Sequence, residues 1–305
     1  MANNTTPYSP LQAFIAPAWG RPEMWRIIVM ILAFEFAFWL APILVAALLP
    51  GEAALAAYHE GATTLASLAQ FGTFGVTATI FIYILRRVHG RGFWSLFGDT
   101  NLAIFDIWRV GIAVGTILLV LQLIPPWIFA DPNVEMTNLI RWFFILPFGM
   151  IVLIIQVGTE EIYFRGYLQQ QFACLSTSPM VWMLIPSCMF GVSHYWNGEG
   201  VADGVMWTAW ATMLGLACAD LTARTGTLGA AIGLHLANNC FALFLVGITG
   251  SPGAGLALFL YPAVEPQDFN TSAAALATIG TVLELMLMCL TVVVMWLAAR
   301  IRLQR

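Results

Sequence analysis

Three short polar clusters interrupt the apolar stretches in the second half of this chain, and their residue types suit acid–base chemistry. The first cluster spans 160–165 and holds two carboxylates followed by a guanidinium. The second ends at His194, and the third contains His235 and Asn239. An ionisable side chain at bilayer depth costs roughly 2.5–3.5 kcal/mol on insertion scales. Several such residues close together therefore indicate a functional site rather than incidental polar contacts.

Helical spacing divides the work within the first cluster. Residues four apart share one face of a helix, whereas adjacent residues point about 100° apart. Glu161 and Arg165 are four apart and are predicted to form an ion pair. Glu160 points elsewhere and is predicted to remain a free carboxylate.

The same spacing orders the two histidine clusters. His235 and Asn239 are four residues apart, so their side chains project from one face. Phe190 and His194 are also four apart, which predicts an aromatic ring packed beneath that imidazole. Counted from the inner ends of the predicted helices, the three clusters lie at similar depths of roughly 13–21 Å. We therefore expect them to meet in one cavity.

The chemistry expected of such a cavity is hydrolysis. Glu160 is predicted to act as a general base that deprotonates water for attack on a peptide carbonyl. His235 and Asn239 are predicted to donate to the developing oxyanion, and His194 to orient the water or protonate the leaving amine. The set His194, His235 and Glu160 also matches a three-ligand site for catalytic zinc. The metal-free version is favoured, because with Glu160 as a ligand the base would have to be Glu161, which the spacing assigns to Arg165.

Composition indicates that helices crossing a membrane hold these residues. The chain has 305 residues, of which 60% are hydrophobic and 9% charged, and its mean hydropathy is +0.83. Soluble domains carry about 25% charged residues. We predict an all-α, polytopic membrane bundle, with residues 1–25 as a cytoplasmic extension and 26–300 as one transmembrane domain. The predicted spans are 26–49, 63–85, 109–129, 142–172, 180–196, 205–222, 227–248 and 274–298, the fourth running on along the inner interface.

The arginines predict the orientation of these eight spans. All twelve basic residues are arginines, and with both termini cytoplasmic ten of them lie inside. Arg165 then lies towards the inner side, and Arg141 lies outside. This predicts an N-in, C-in protein whose site faces the cytoplasm, with a Gly- and Pro-containing outer loop at 250–272. The G-x-x-x-G pairs beginning at Gly111 and Gly229 predict close helix packing.

The ordered motifs E-E-x-x-x-R, F-x-x-x-H and H-x-x-x-N resemble the CAAX prenyl endopeptidase and bacteriocin-processing (CPBP, or Abi) family of intramembrane proteases. The resemblance covers about 155–245, within a predicted core of about 140–248. It implies an eight-helix core with a conical cavity open to the cytoplasm. The implied catalytic residues are Glu160, His194, His235 and Asn239, with Glu161 and Arg165 in support. Family members have been called metalloproteases, and a glutamate-activated water is the competing account.

The resemblance leaves the substrate open. Eukaryotic members cleave the terminal tripeptide from prenylated CAAX proteins, whereas bacterial members are linked to peptide processing, bacteriocin immunity or scaffolding. The first hypothesis is an intramembrane endopeptidase for a membrane-associated or prenylated peptide. The alternatives are a non-catalytic scaffold or immunity protein, which has no need of an unpaired carboxylate, and a proton-coupled transporter, which internal repeats would favour. The sequence has no P-loop or nucleic-acid signature, and it leaves Glu35, Glu284 and the oligomeric state unassigned.

Overall fold

The computed structural model describes residues 7–61, 63–125, 132–262 and 272–304, and most of these residues are helical. The helices are α1 Leu11–Ile15, α2 Met24–Ala46, α3 Gly51–Glu60, α4 Thr64–His89, α5 Thr100–Leu121, α6 Leu139–Leu175, α7 Ile185–Ser193, α8 Val201–Thr225, α9 Gly229–Leu245 and α10 Ile279–Leu303. Short 3-10 helices are Ala16–Ala18, Phe93–Leu96, Tyr195–Asn197, Ala254–Leu256 and Ala273–Ala277. The strands are β1 Glu135–Met136, β2 Val246–Ile248 and β3 Phe259–Tyr261.

Six of these helices are long and apolar enough to cross a membrane, namely α2, α4, α5, α6, α8 and α10. They overlap six of the eight predicted spans. The other two predicted spans, 180–196 and 227–248, overlap α7 and α9, which are shorter. The predicted helical membrane bundle is therefore confirmed with six candidate spanning helices in the described ranges.

The third predicted span is shifted along the chain. Its helix, α5, runs from Thr100 to Leu121 rather than over 109–129, of which 126–129 lie outside the described residues. The Asp99 side chain accepts a hydrogen bond from the Leu102 backbone N–H at 2.9 Å. An aspartate in this position satisfies one of the unpaired N–H groups at a helix start. The helix therefore begins at a polar capping residue. A search for apolar runs does not detect such a start, so the predicted span began too late in the chain.

Helices α5 and α9 approach each other at glycines. A Cβ atom on Gly229 would lie 2.1 Å from the Ala103 carbonyl oxygen, and one on Gly233 would lie 2.7 Å from another carbonyl oxygen of α5. A Cβ on Gly111 would be 3.6 Å from the Gly233 oxygen, whereas one on Gly115 would meet nothing within 4 Å. Three of the four predicted G-x-x-x-G glycines thus lie at this contact. It fixes α9, the helix that carries the third motif.

Helix α6 is 37 residues long and changes its winding part-way. Its first part, Leu139–Glu161, is α-helical, Ile162–Gln169 is a π-helix, and Gln170–Leu175 returns to α-helix. Every residue of the π segment is buried. The segment is therefore packed among the other helices over its whole length.

Asp220 of α8 joins three separate parts of the chain. Its carboxylate accepts from Arg224 Nε at 2.9 Å, as the spacing of these two residues predicts. It also accepts from the Tyr8 hydroxyl and from the Trp296 indole N–H, each at 2.8 Å. The N-terminal extension is therefore docked onto the bundle, where it buries Leu11 and other side chains of α1.

The predicted outer loop 250–272 contributes to a small sheet. Its strand β3 lies between β1 and β2, antiparallel to the first and parallel to the second. The stretch 263–271 of this loop, together with Arg305, lies outside the described residues. The sheet covers the ends of α6 and α9, where the Trp142 indole N–H donates to the Phe244 carbonyl at 3.0 Å.

Candidate active site

Phe190 lies where the three sequence motifs meet. The side chain is fully buried, and its ring centroid is 4.4 Å from that of His194 and 5.7 Å from that of His235. The Arg165 guanidinium carbon lies 4.5 Å from the same centroid, within cation–π range. The predicted contact of Phe190 with His194 is present. Helices α6, α7 and α9 thus bring the three motifs to one place.

Glu161 joins the first motif to the third. Its Oε1 atom accepts from Arg165 Nη1 at 2.8 Å, which is the ion pair that the spacing predicts. The same oxygen accepts from His235 Nδ1 at 2.7 Å. Both residues of the ion pair are almost fully buried, with exposures of 0% for Glu161 and 1% for Arg165. Because an ionised carboxylate only accepts, the bond places a proton on His235 Nδ1.

Glu160 faces the other nitrogen of the same imidazole. Its Oε2 atom lies 3.5 Å from His235 Nε2, longer than a hydrogen bond. Within the described residues this buried oxygen has no hydrogen-bond partner. The carboxylates of Glu160 and Glu161 therefore flank His235. The Arg165 guanidinium pairs with Glu161 and neutralises only that charge.

His194 ends α7 and is partly exposed. Its Nδ1 atom donates to the Phe190 carbonyl oxygen at 2.8 Å. In the neutral imidazole this bond leaves Nε2 as an acceptor. The free nitrogen suits either water orientation or, once protonated, donation to a leaving group.

Asn239 is held by two other amides. Its Nδ2 atom donates to Gln156 Oε1 at 3.1 Å, and its Oδ1 atom accepts from Asn238 Nδ2 at 3.0 Å. Sequence reasoning missed Gln156, although it lies four residues before Glu160 and is polar within an apolar run. Its spacing places it on the same face of α6 as Glu160.

The contacts between α6 and α9 form two levels. At one level Glu160 and Glu161 meet His235, and at the other Gln156 meets Asn239. Residue numbers fall along α6 as they rise along α9, so the two helices run antiparallel here. Four residues of helix span about 6 Å, which is the separation of the two levels along the axis. The site is therefore a short ladder of polar pairs between two facing helices.

Each helix that carries a motif is joined to a π segment. These segments are Ile162–Gln169 in α6, Met180–Leu184 before α7 and Phe241–Leu245 in α9. π-helical turns occur frequently at functional sites, where they turn side chains away from the regular α-helical register. The convergence of the three motifs therefore depends on winding that residue spacing does not reveal.

Two acidic residues that the sequence left unassigned make none of the contacts of this ladder. Glu35 in α2 and Glu284 in α10 are exposed on the outer surfaces of their helices. A cleft of about 460 Å³ between α5 and α10 also contains none of the motif residues, and Arg109 and Arg302 line its polar end. These features do not contribute to the candidate site.

The possible zinc ligands His194, His235 and Glu160 each have contacts within the protein. Among the described residues, no group of three or more His, Cys, Asp or Glu side chains is arranged to hold a metal ion. His235 directs one nitrogen at Glu161 and the other at Glu160, and His194 uses Nδ1 for a backbone oxygen. Zinc ligation by His194, His235 and Glu160 therefore stays a prediction.

Comparison with known proteins agrees with the motifs. Residues 141–241 match the family model for type II CAAX prenyl endopeptidase Rce1-like proteins, and all three motifs lie in this segment. The family resemblance is confirmed. The chain is also 30% identical over 177 residues to the uncharacterized protein YyaK of Bacillus subtilis (strain 168), a match that spans 56% of this chain and 59% of that protein. No solved structure matches the chain.

The family match supports a protease-like membrane protein. Together with the six long apolar helices it indicates a multi-pass integral membrane protein, and it suggests a peptide hydrolase. The CAAX endopeptidase-like segment includes α6, α7 and most of α9, so it contains the whole polar ladder.

Proposed function

We propose that this protein is an intramembrane endopeptidase that hydrolyses a peptide bond of a membrane-associated or lipidated protein with a water activated by Glu160. The observation that carries this proposal is the buried Oε2 atom of Glu160, which has no hydrogen-bond partner in the described part of the chain. An unsatisfied buried carboxylate oxygen is costly, so a site that retains one is a candidate for binding water or substrate.

In the first step Glu160 takes a proton from the water. The water oxygen forms a bond to the substrate carbonyl carbon, and the carbonyl electrons move onto its oxygen. Asn239 is proposed to donate to that oxyanion, since its amide is fixed by partners on both sides. A donor that is already oriented requires no rearrangement as the charge develops.

His235 is proposed to hold and return the proton that Glu160 takes. With Nδ1–H donated to Glu161, its Nε2 atom presents a lone pair towards Glu160 at 3.5 Å. Catalytic hydrogen bonds are often long before substrate binds and shorten in the complex. The Glu161–Arg165 pair then holds the imidazole in the required tautomer.

In the second step the carbon–nitrogen bond breaks and the amine takes a proton. His194 is proposed to deliver it from Nε2, because its Nδ1–H is fixed to the Phe190 carbonyl. That proton is the one that the water gave to Glu160, which passes through the site to His194 Nε2 and then to the amine, so His194 ends as neutral as it began. The products are a carboxylic acid and a free amine, with the enzyme unchanged.

The substrate is proposed to reach the site from the cytoplasmic side, which the arginine distribution supports. An apolar bundle favours a peptide with a lipid or transmembrane anchor over a soluble one. The mechanism requires no metal, since the glutamate, histidines and amide supply the base, the proton donor and the oxyanion donor. We therefore expect 1,10-phenanthroline to leave the rate unchanged.

The test is cleavage by the purified protein in proteoliposomes. The probe is an internally quenched farnesylated peptide ending in a C-a-a-X sequence, compared with its unprenylated form. Replacing Glu160 by glutamine removes the base but keeps the shape, so Glu160→Gln is expected to lower kcat by about 10²–10⁴-fold. The melting temperature in detergent should remain close to that of the wild type.

Glu284→Gln is the matched control, because it removes an acidic residue from a spanning helix away from the ladder. Its rate should equal that of the wild type. Cleavage by Glu160→Gln at the wild-type rate would overturn the assignment of Glu160. If the wild type cleaves neither peptide and Glu160→Gln fully complements a deletion strain, the scaffold hypothesis replaces the enzyme.

A further inference from the structure

His235 has no N–H group left for an oxyanion in this structure. Its Nδ1–H is bound to Glu161 at 2.7 Å, and Nε2 of the neutral ring has no proton. If the ring is protonated, Nε2–H faces Glu160 at 3.5 Å instead. The sequence paired His235 with Asn239 as oxyanion donors, and the geometry favours a different partner for Asn239.

The amides next to the site supply such a partner. Asn238 donates to Asn239 Oδ1, which turns Asn239 Nδ2 towards Gln156 and makes Gln156 Oε1 its acceptor. In this series of hydrogen bonds each amide orients the next. The NH₂ group of Gln156 is the last group in the series. Across the described ranges no residue accepts a hydrogen bond from Gln156 Nε2.

The position of Gln156 suits a bound carbonyl oxygen. The residue is 5% exposed, and its Nε2 atom is not among the fully enclosed unpartnered atoms of the described residues, so the accessible part of the side chain includes the free donor. It lies one helical turn from Glu160 on the same face, about 6 Å along the axis. The carboxylate that holds the water and the amide that holds the oxyanion are separated by two hydrogen bonds and the reacting carbonyl group, which fits a spacing of about one helical turn.

We propose that Gln156 is a further catalytic residue, which donates from Nε2 to the substrate oxyanion beside Asn239. The proposal deepens the function above and rests on it. The ligand of this pair of amides is the scissile carbonyl of a peptide, first as the neutral oxygen and then as the oxyanion. The two oxyanion donors are then side-chain amides on facing helices. His235 instead holds the proton that Glu160 takes from the water.

The test compares three variants by kcat and KM with the quenched peptide in proteoliposomes. Gln156→Ala removes both the donor and the acceptor for Asn239. Gln156→Glu keeps an oxygen for Asn239 Nδ2 and removes the donor, so it separates donation from mere positioning of Asn239. Gln70→Ala is the control, since that α4 glutamine donates instead to the Tyr58 carbonyl, at 2.6 Å.

Loss of one oxyanion donor lowers kcat by about 10²–10³-fold in a well-studied protease. We expect a loss of about 10²-fold in Gln156→Ala and at least as much in Gln156→Glu at neutral pH, with KM changed little. Melting temperatures in detergent should match that of Gln70→Ala. A phosphinic peptide, which presents a tetrahedral anion, should bind Gln156→Ala about 10²-fold more weakly than the wild type.

Three results would overturn the inference. Wild-type kcat in Gln156→Glu would reduce Gln156 to a positioning role, and wild-type kcat in Gln156→Ala would remove any role. Unchanged binding of the phosphinic peptide would show that Gln156 does not contact the oxyanion. A wild-type protein that cleaves no peptide would instead end the proposed function itself, so the two failures are distinguishable.

Discussion

Among the described residues, two largely buried acid–arginine pairs share the same helical spacing, and they differ in how completely their atoms are satisfied. Asp220 and Arg224 lie 2.9 Å apart in α8, and Glu161 and Arg165 lie 2.8 Å apart in α6. Both oxygens of Asp220 accept hydrogen bonds, and the donors come from three separate parts of the chain.

The pair in α6 is left incomplete. Glu161 Oε1 accepts from two donors, whereas Glu161 Oε2, Glu160 Oε2 and Arg165 Nη2 are buried without partners in the described residues. Buried polar atoms are satisfied in the great majority of cases, so an unsatisfied group requires an explanation. The structural pair is saturated, and the candidate catalytic pair retains capacity for water or substrate.

The comparison shows that spacing alone does not distinguish the two pairs. Both read as i,i+4 pairs in the sequence, and both are present. What separates them is the number of unused donors and acceptors around each, which depends on residues far away in the chain. A variant of each pair should therefore affect a different property.

The largest effect is expected from removal of the Arg165 charge. Arg165→Met leaves Glu161 as a buried carboxylate with no cation beside it. Breaking a buried ion pair from one side costs about 3–5 kcal/mol, because the remaining charge stays desolvated. We expect loss of the monodisperse peak in detergent size-exclusion chromatography, or a much lower melting temperature.

The double variant Arg165→Met with Glu161→Gln tests the reason for that loss. Removing both charges should restore much of the folded protein without restoring activity, since His235 then loses its carboxylate acceptor. Arg87→Met is the control, because that exposed arginine binds only the Tyr83 hydroxyl within the described residues. A folded Arg165→Met protein with normal stability would contradict the idea that the pair is a desolvated charge pair.

A smaller effect, on stability alone, is expected from Asp220→Ala. The change leaves the Trp296 N–H and the Arg224 guanidinium without their acceptor. Hydrogen bonds to charged groups are worth about 1.5–3 kcal/mol each, so we expect a stability loss of about 2 kcal/mol or more and a lower melting temperature. The kcat at a temperature where the variant is folded should equal that of the wild type.

Asp203→Ala provides the comparison within the same helix. Asp203 lies in the first turn of α8, where it accepts from the Glu199 backbone N–H at 3.0 Å. Its loss should lower the melting temperature less than that of Asp220. A fall in kcat of tenfold or more in Asp220→Ala would mean that the saturated cluster acts on the site, and the distinction between the two pairs would fail.

These two pairs also show what could be predicted from the sequence. Contacts between residues four apart could be predicted, because one helical turn brings such residues together. Glu161 with Arg165 and Asp220 with Arg224 are the two examples. The helical membrane bundle followed from composition, and the family from three ordered motifs. Local helix geometry and the apolar pattern were therefore sufficient to predict the helical framework that holds the site.

The contacts between distant residues could not be predicted in the same way. Gln156 and Asn239 are 83 positions apart, and their contact depends on how α6 and α9 pack. The π segments also alter the register next to each motif, and no residue pattern indicates where such a segment begins. The position of His235 between Glu161, which binds Nδ1, and Glu160, which faces Nε2, is a consequence of that packing.

The smallest effect is expected from Tyr8→Phe, which removes one donor from the saturated cluster. Burial, and then the neighbouring Asp220 carboxylate, raises the pKa of Tyr8, so its hydroxyl stays protonated and donates at neutral pH. Asp220 keeps Arg224 and Trp296, and the aromatic contact of Tyr8 with Trp182 is retained, so the loss should be about 1 kcal/mol. A melting temperature between those of the wild type and Asp220→Ala would fit a cluster of separable bonds. A loss as large as that of Asp220→Ala would mean that docking of the N-terminal extension, rather than the ion pair, stabilises this end of the bundle.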